Sequence, residues 1–182
     1  AYKEKAYARD SIVISAAGNF DKDAFCAYLS DKFDRLAKER RAKEKKAEAY
    51  VPRFKVIKKD IQQSHICMAT RSISLDDPRY YTFAVLNNIM GGSMSSRFFQ
   101  NIREEGLAYS VYSSNSTFSD AGYYNIYAGV SHDKVGAAIE GIKEELDVLD
   151  REGLTEEEIS MSKEQLKSSY IFGQENVASR MF

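Results

Sequence analysis

Tryptophan is absent, proline and cysteine occur only twice each, and neither sign of charge dominates. Two cysteines in 182 residues exclude a disulfide-stapled scaffold, which needs several pairs. Cys26 and Cys67 each lie in an apolar-patterned segment, so both are expected to be inert core thiols, which suits a reducing, cytoplasmic setting. The scarcity of proline beside 43% apolar residues excludes a disordered chain. A net charge of −1 argues against a dedicated nucleic-acid surface. No apolar run approaches the roughly 20 residues of a membrane span. Residues 1–10 carry no signal-peptide core, and the chain opens on Ala1 instead of Met, as a processed piece of a longer protein would. Histidine is nearly missing too. His65 and His132 lie in different elements with no acidic or cysteine partner at metal spacing, so metal ligation is expected of neither. No serine or cysteine has a histidine base in reach of a recognisable pattern.

What the chain does have is tyrosine, 12 in all, a composition that leans towards half-buried sheet and interface positions. The β-branched run Ser11-Ile12-Val13-Ile14-Ser15-Ala16-Ala17, closed by Gly18-Asn19, predicts a strand. Asp21 is placed to cap a helix carrying Phe25, Leu29, Phe33 and Leu36 at helical spacing. Residues 38–48 collapse into lysine, arginine, glutamate and alanine and read as a solvated helix extension or linker, closed by Pro52. A polyanion-binding arm over 38–46 is the weaker reading, because glutamates interrupt it.

Residues 53–60 and 62–73 read as two strands forming a hairpin pair, and Asp76 or Asp77 caps the next helix, with Pro78 in its first turn and its end near Met90. That position makes capping a better role for the acidic pair than a catalytic dyad. Strands are expected at 108–118 and 122–130, joined by Ser119-Asp120-Ala121-Gly122. In the second, Tyr124, Ile126, Ala128 and Val130 alternate with Tyr123, Asn125 and Tyr127, as on a sheet with one covered face. Ser131 is placed to cap a helix with Val135, Ala138, Ile139, Ile142, Leu146 and Leu149 on one side, broken at Gly153. Thr155 and Glu158 match a capping box for a final helix continuing towards the chain end. The class is α+β: an antiparallel or mixed sheet with helices packed on one face.

The densest chemistry lies at Gly91-Gly92-Ser93-Met94-Ser95-Ser96-Arg97 and Ile102-Arg103-Glu104-Glu105-Gly106-Leu107-Ala108-Tyr109. It predicts a loose turn, a short helix from Ser95 or Ser96 to Glu104, a turn at Gly106 with positive φ, and a strand opening near the tyrosine. Arg103 and Tyr109 are thereby held close, and two such donors can grip a peptide carbonyl or a carboxylate.

From about Phe54 to Arg180 the chain resembles the second, non-zinc half of the M16 (pitrilysin and insulinase) zinc metallopeptidases, nearest their mitochondrial-processing-peptidase-like bacterial branch. The matching residues are Gln63, Asp76-Asp77-Pro78, the Gly91 to Phe99 run, Ile102-Arg103-Glu104, Gly106-Leu107-Ala108-Tyr109-Ser110, Ala121-Gly122, Leu154-Thr155-Glu156-Glu157-Glu158 and Lys163. Ala17-Gly18-Asn19-Phe20-Asp21 resembles the close of the family's first half. The resemblance implies three parts: 1–37 as the closing strand and helix of the catalytic half, 38–52 as a charged linker, and 53–182 as a substrate-binding half truncated at its end. It implies zinc for the parent, held by a His-x-x-Glu-His in the half this chain lacks, and no cofactor here. Arg103 and Tyr109 would hold the backbone of a peptide or unfolded polypeptide, with the Tyr109 hydroxyl donating to the carbonyl oxygen as charge develops. Arg97 is a further candidate to touch the substrate, with bracing of the Gly-Gly turn as its other reading. Between Arg103 and Gly106 this chain carries one residue fewer than close bacterial relatives in the family.

The implied partners are a peptide substrate and the zinc-bearing half, with neither nucleic acid nor membrane. Alone, the chain is expected to bind peptides weakly and cleave nothing. The alternative is a non-catalytic subunit or a catalytically dead scaffold of an M16-like complex. Because the resemblance leaves a sheet edge unfilled, residues 11–17 are expected to fill it or to pair with a second copy as a homodimer.

Overall fold

Strand β3 (Gly122–Val130) is the middle of a three-stranded antiparallel sheet, with β1 (Ser64–Ser72) on one side and β2 (Ser110–Thr117) on the other. The computed structural model describes residues 7–34, 36 and 46–181, so the charged stretch expected over 38–48 lies almost wholly outside the described residues. The chain divides into two compact units, residues 1–46 with 168–182, and residues 47–167.

The second unit contains the sheet. β2 and β3 form the expected hairpin, closed by Phe118 N–H donating to the Ala121 carbonyl at 2.7 Å. β1 does not pair with the segment before it, as expected, but with β3, from Ser64 opposite Val130 to Ser72 opposite Gly122. Residues 53–60 form no strand. Five of their eight residues are charged, and no apolar layer receives the other three: Phe54 is 92% exposed. β-propensity needs a pleated, half-covered surface to act on, and this segment has none.

One face of the sheet is covered. Helix α2 (Tyr80–Asn87) and helix α3 (Val135–Glu152) supply Phe83, Leu86, Val135, Ala138, Ile142, Leu146 and Leu149 to a core shared with Ile66, Met68, Val111, Tyr124, Ile126, Ala128 and Val130. The alternation expected along β3 is therefore present, with Tyr124, Ile126 and Ala128 inward and Tyr123 outward. Phe98 and Ile102, both fully buried, plug the same core from the short helix after the glycine turn. The class is α+β with helices on one face.

Helix boundaries follow local chemistry. Asp77, not Asp76, organises the entry to α2: its carboxylate accepts from the Arg79 backbone N–H at 2.8 Å and from the Arg79 guanidinium at 2.8 and 3.0 Å. The Ser131 side chain makes no capping hydrogen bond, although its carbonyl accepts from Lys134 N–H at 3.0 Å. A 3₁₀ turn, His132–Lys134, intervenes before α3. Helix α4 (Glu156–Gly173) opens with the expected capping box, Thr155 Oγ1 accepting from Glu158 N–H and Glu158 Oε2 accepting from Thr155 N–H. It stops at Gly173 without continuing on, and a 3₁₀ turn, Ala178–Met181, follows.

In the first unit, helix α1 (Lys22–Phe33) is capped by Asp21, and Phe25, Leu29, Phe33 and Leu36 are half-buried. Residues 12–17 form no strand, Val13 is 92% exposed, and they are not part of the sheet, so they do not fill its vacant edge. Cys26 and Cys67 are both exposed free thiols. Cys26 falls between the half-buried positions of α1, and Cys67 on the uncovered face of β1. Neither thiol is a core residue, so burial of cysteine does not point to a reducing compartment.

Candidate functional site

Asn87 ends α2, and a widened turn, Asn88–Gly92, carries the chain across the core side of β2. Ser96 closes the following loop by donating from its hydroxyl to the Ser93 carbonyl at 2.6 Å. The next helix is short and wide. Glu104 N–H donates to Phe99 O and Leu107 N–H to Ile102 O, both five residues back. Wide turns of this kind recur at functional sites, because they redirect side chains relative to a regular helix. Gly106 then takes φ +71°, the left-handed conformation its position predicts.

This path brings Arg103 to Tyr109. Arg103 Nε donates to the Tyr109 carbonyl at 3.3 Å, and the guanidinium lies 4.7 Å above the Phe99 ring. Its Nη1 pairs with Glu104 at 2.7 Å, so the neighbour pairing common for surface arginines also occurs. Nη2 has no hydrogen-bond partner among the described residues. The short turn does not separate the two residues, since the five-back hydrogen bonds and the length of arginine close the gap. Tyr109 is anchored by its backbone N–H to the Gly129 carbonyl at 2.8 Å, and its side chain is left in solvent. The residue is 61% exposed, and its hydroxyl has no partner among the described residues. Lys134, which sequence reading passed over, donates from Nζ to the Gly106 carbonyl at 2.7 Å and pins the same turn. Positions 106 and 134 are too far apart in sequence for pattern to reveal that contact.

Arg97 does something other than brace the glycine turn. Its Nε and Nη2 grip the Glu158 carboxylate at 2.6 and 2.8 Å, and Nη2 also donates to the Gly153 carbonyl at 3.0 Å. Glu158 thus serves the capping box and the guanidinium together, locking the start of α4 to the short helix. The Arg97 hydrogen bonds, ahead of those from Thr155, hold the Glu158 carboxyl down at about 2, against an ordinary 4.5. A depressed carboxylate contributes stability above its unfolded value, and that contribution is lost as pH falls from about 4.5 towards about 2. Arg97→Met should therefore destabilise the chain by about 2 kcal/mol at neutral pH, a moderate loss because the pair is partly exposed. The gap from the parent chain should narrow towards pH 2, leaving the part owed to the Gly153 hydrogen bond. Thermal melts of both proteins across pH 2 to 7 check this, and a gap independent of pH would remove the ion pair as its cause.

The two histidines are engaged to different degrees. His132 uses both ring nitrogens, on Ser64 Oγ at 2.8 Å and the Ile61 carbonyl at 2.9 Å, and His65 Nδ1 meets the Tyr127 hydroxyl at 2.7 Å. No group of three or more His, Cys, Asp or Glu suited to a metal occurs among the described residues. These residues do not fit a zinc ion, and no step here runs through one.

The family profile described as the peptidase M16 inactive domain matches residues 1–166. The chain belongs to the M16 peptidase family, as its inactive domain. A Bacillus subtilis (strain 168) protein described as the uncharacterized zinc protease YmxG is 38% identical over 182 residues, which is 99% of this chain and 44% of that protein. The M16 chain thus spans under half the length of the curated relatives it matches. Among solved structures, the peptidase M16 inactive domain from Pseudomonas fluorescens has a TM-score of 0.69 at 21% identity, over 84% of this chain and 38% of that one. A chain of Complex III2 from Candida albicans has a TM-score of 0.72 at 20% identity, over 90% of this chain and 41% of that one. At such identities both likenesses concern the fold alone.

Proposed function

We propose that this M16 inactive domain is the substrate-holding half of a zinc endopeptidase, gripping a peptide backbone through Arg103 and Tyr109 while the chemistry resides in a separate zinc-bearing half. The observation that carries this reading is the pairing of Arg103 Nε with the Tyr109 carbonyl, with two donors, Arg103 Nη2 and the Tyr109 hydroxyl, left without partners among the described residues at an exposed surface. A guanidinium with a spare N–H suits a peptide carbonyl, and the phenol can donate to an oxygen gaining negative charge. The family match and the naming of relatives as zinc proteases support the zinc dependence of the parent.

A cleavage assay on an unfolded polypeptide tests it. The chain alone should be inactive, and mixing it with the zinc-bearing half of its parent should restore turnover. Arg103→Ala in that mixture should raise KM by about tenfold, the size of one charge-assisted hydrogen bond. A mixture that stays inactive, from a parent lacking His-x-x-Glu-His, would favour the second reading of a non-catalytic subunit or scaffold.

A further inference from the structure

Opposite the helices, the sheet presents a face that no element of the second unit covers. The register arranges its outward residues in four cross-strand rows: His65, Gly129 and Ser110; Cys67, Tyr127 and Tyr112; Ala69, Asn125 and Ser114; Arg71, Tyr123 and Ser116. No carboxylate occurs in this array, and its one permanent charge, Arg71, stands in the row farthest from the Arg103–Tyr109 site. The middle is aromatic. Tyr112 stacks on Tyr127 with centroids 4.9 Å apart and planes at 29°, and the Tyr127 hydroxyl is fixed by His65 Nδ1 at 2.7 Å.

Gly129 explains how these groups converge. A Cβ there would sit 3.0 Å from Ser110 Oγ, 3.3 Å from the Tyr127 hydroxyl and 3.4 Å from Gln63 Oε1. The glycine has no unusual φ, so space and not backbone freedom is what position 129 supplies. Three polar heads thereby gather over bare backbone, in the same row whose carbonyl accepts the Tyr109 N–H. Tyr112 is 48% exposed although its ring is held by the stack. A rigid, exposed ring flanked by neutral donors and acceptors loses little freedom when another ring lies on it.

The geometry points to a second contact for the peptide: the Tyr112–Tyr127 platform takes an aromatic side chain from an uncharged stretch of the polypeptide held at Arg103 and Tyr109, while Ser110 and Gln63 meet its backbone amides. This rests on the reading of Arg103 and Tyr109 given above. Continuity with that site through Gly129, and the neutrality of the face, favour an extended peptide over a second copy of the chain.

Fluorescence anisotropy with the 182-residue chain separates the two readings. The probes are short fluorescein-labelled peptides of alternating serine and alanine, with phenylalanine, alanine or glutamate at the centre. The phenylalanine peptide should bind about fivefold tighter than the alanine peptide, and the glutamate peptide no tighter than alanine. Tyr112→Ala should abolish that preference, and Tyr112→Phe should keep it, with thermal melts showing both variants folded at the assay temperature. Arg103→Ala should weaken every peptide by one common factor and leave the preference intact. Equal binding of the phenylalanine and alanine peptides, or a preference that survives Tyr112→Ala, would overturn the platform while leaving the grip standing. A preference that persists while Arg103→Ala changes nothing would overturn the grip and leave the platform. Failure of every peptide to bind sinks both. Self-association of the chain that Tyr112→Ala abolishes would assign the face to a second copy and also overturn the proposal.

Discussion

Phenylalanine at position 109 should lower kcat of the full-length parent by about 100- to 1,000-fold, the usual loss when one oxyanion donor is removed. The expectation follows from the anchoring of this residue. Its backbone is fixed on β3 through the Gly129 carbonyl and on Arg103 through its own carbonyl, so the ring should keep its place when the hydroxyl is gone. The side chain is exposed and its hydroxyl bonds to nothing among the described residues, so folding stability should not change. KM should change much less than kcat, because a hydrogen bond that strengthens as negative charge develops acts mainly on the transition state. Arg103→Ala should show the opposite balance. Steady-state kinetics on an unfolded polypeptide distinguish the two effects, and a melt confirms that the fold is intact. Undiminished kcat in the double variant Arg103→Ala, Tyr109→Phe would end the proposed grip.

The turn that brings Arg103 to Tyr109 is more legible in the sequence than parts of the fold are, and the reason is physical. Gly106 and the capping box at Thr155 and Glu158 are local devices, each specified by residues a few positions apart, and each occurs where its chemistry predicts. The inward alternation of β3 and the apolar side of α3 are equally local and equally legible. Residues 11–17 have strand-like composition but no strand beside them to supply hydrogen bonds, and 53–60 are charge-rich with no apolar layer to receive the rest; composition carries no information about a partner. The same gap hides the pairing of β1 with β3, separated by the whole of α2 and the glycine turn. At the site, the Arg103–Tyr109 approach is readable because both belong to one turn. Arg97 is misread as a brace for its own turn because its partner, Glu158, lies 61 positions away. Cys67 is misread for a subtler reason: a period of two marks which residues share a face, and only packing decides which face is covered.

The glycine pair poses the same problem in miniature, since the two residues are indistinguishable in sequence and unequal in the structure. Gly91→Ala should destabilise the chain by about 3 kcal/mol, at the upper end of overpacking effects, lowering Tm by about 6–12 °C. Gly92→Ala should cost less than about 1 kcal/mol. Conformation is not the cause, because Gly91 has φ −160°, an extended value open to any residue. Space is the cause. A Cβ at 91 would lie 2.5 Å from Ser113 N, 2.6 Å from Ser113 Oγ and 2.9 Å from Phe98 Cδ2. None of these can retreat freely. Ser113 N belongs to β2, held along its length by β3; its hydroxyl donates to Asn87 Oδ1 at 2.9 Å; and Phe98 is fully buried. At Gly92 the nearest atoms, Asn88 Oδ1 and the Asn87 carbonyl, lie at 3.1 and 3.2 Å, distances a small local shift relieves. The effect should reach the site as well. Phe98 stands on the short helix that ends in Arg103, so pushing that ring away from β2 tilts the guanidinium relative to Tyr109. Gly91→Ala should accordingly weaken peptide binding at temperatures where the chain is still folded, while Gly92→Ala should not. Paired melts and binding curves for the two variants decide it, and equal Tm values would mean that the glycine turn does not rest on β2 as described.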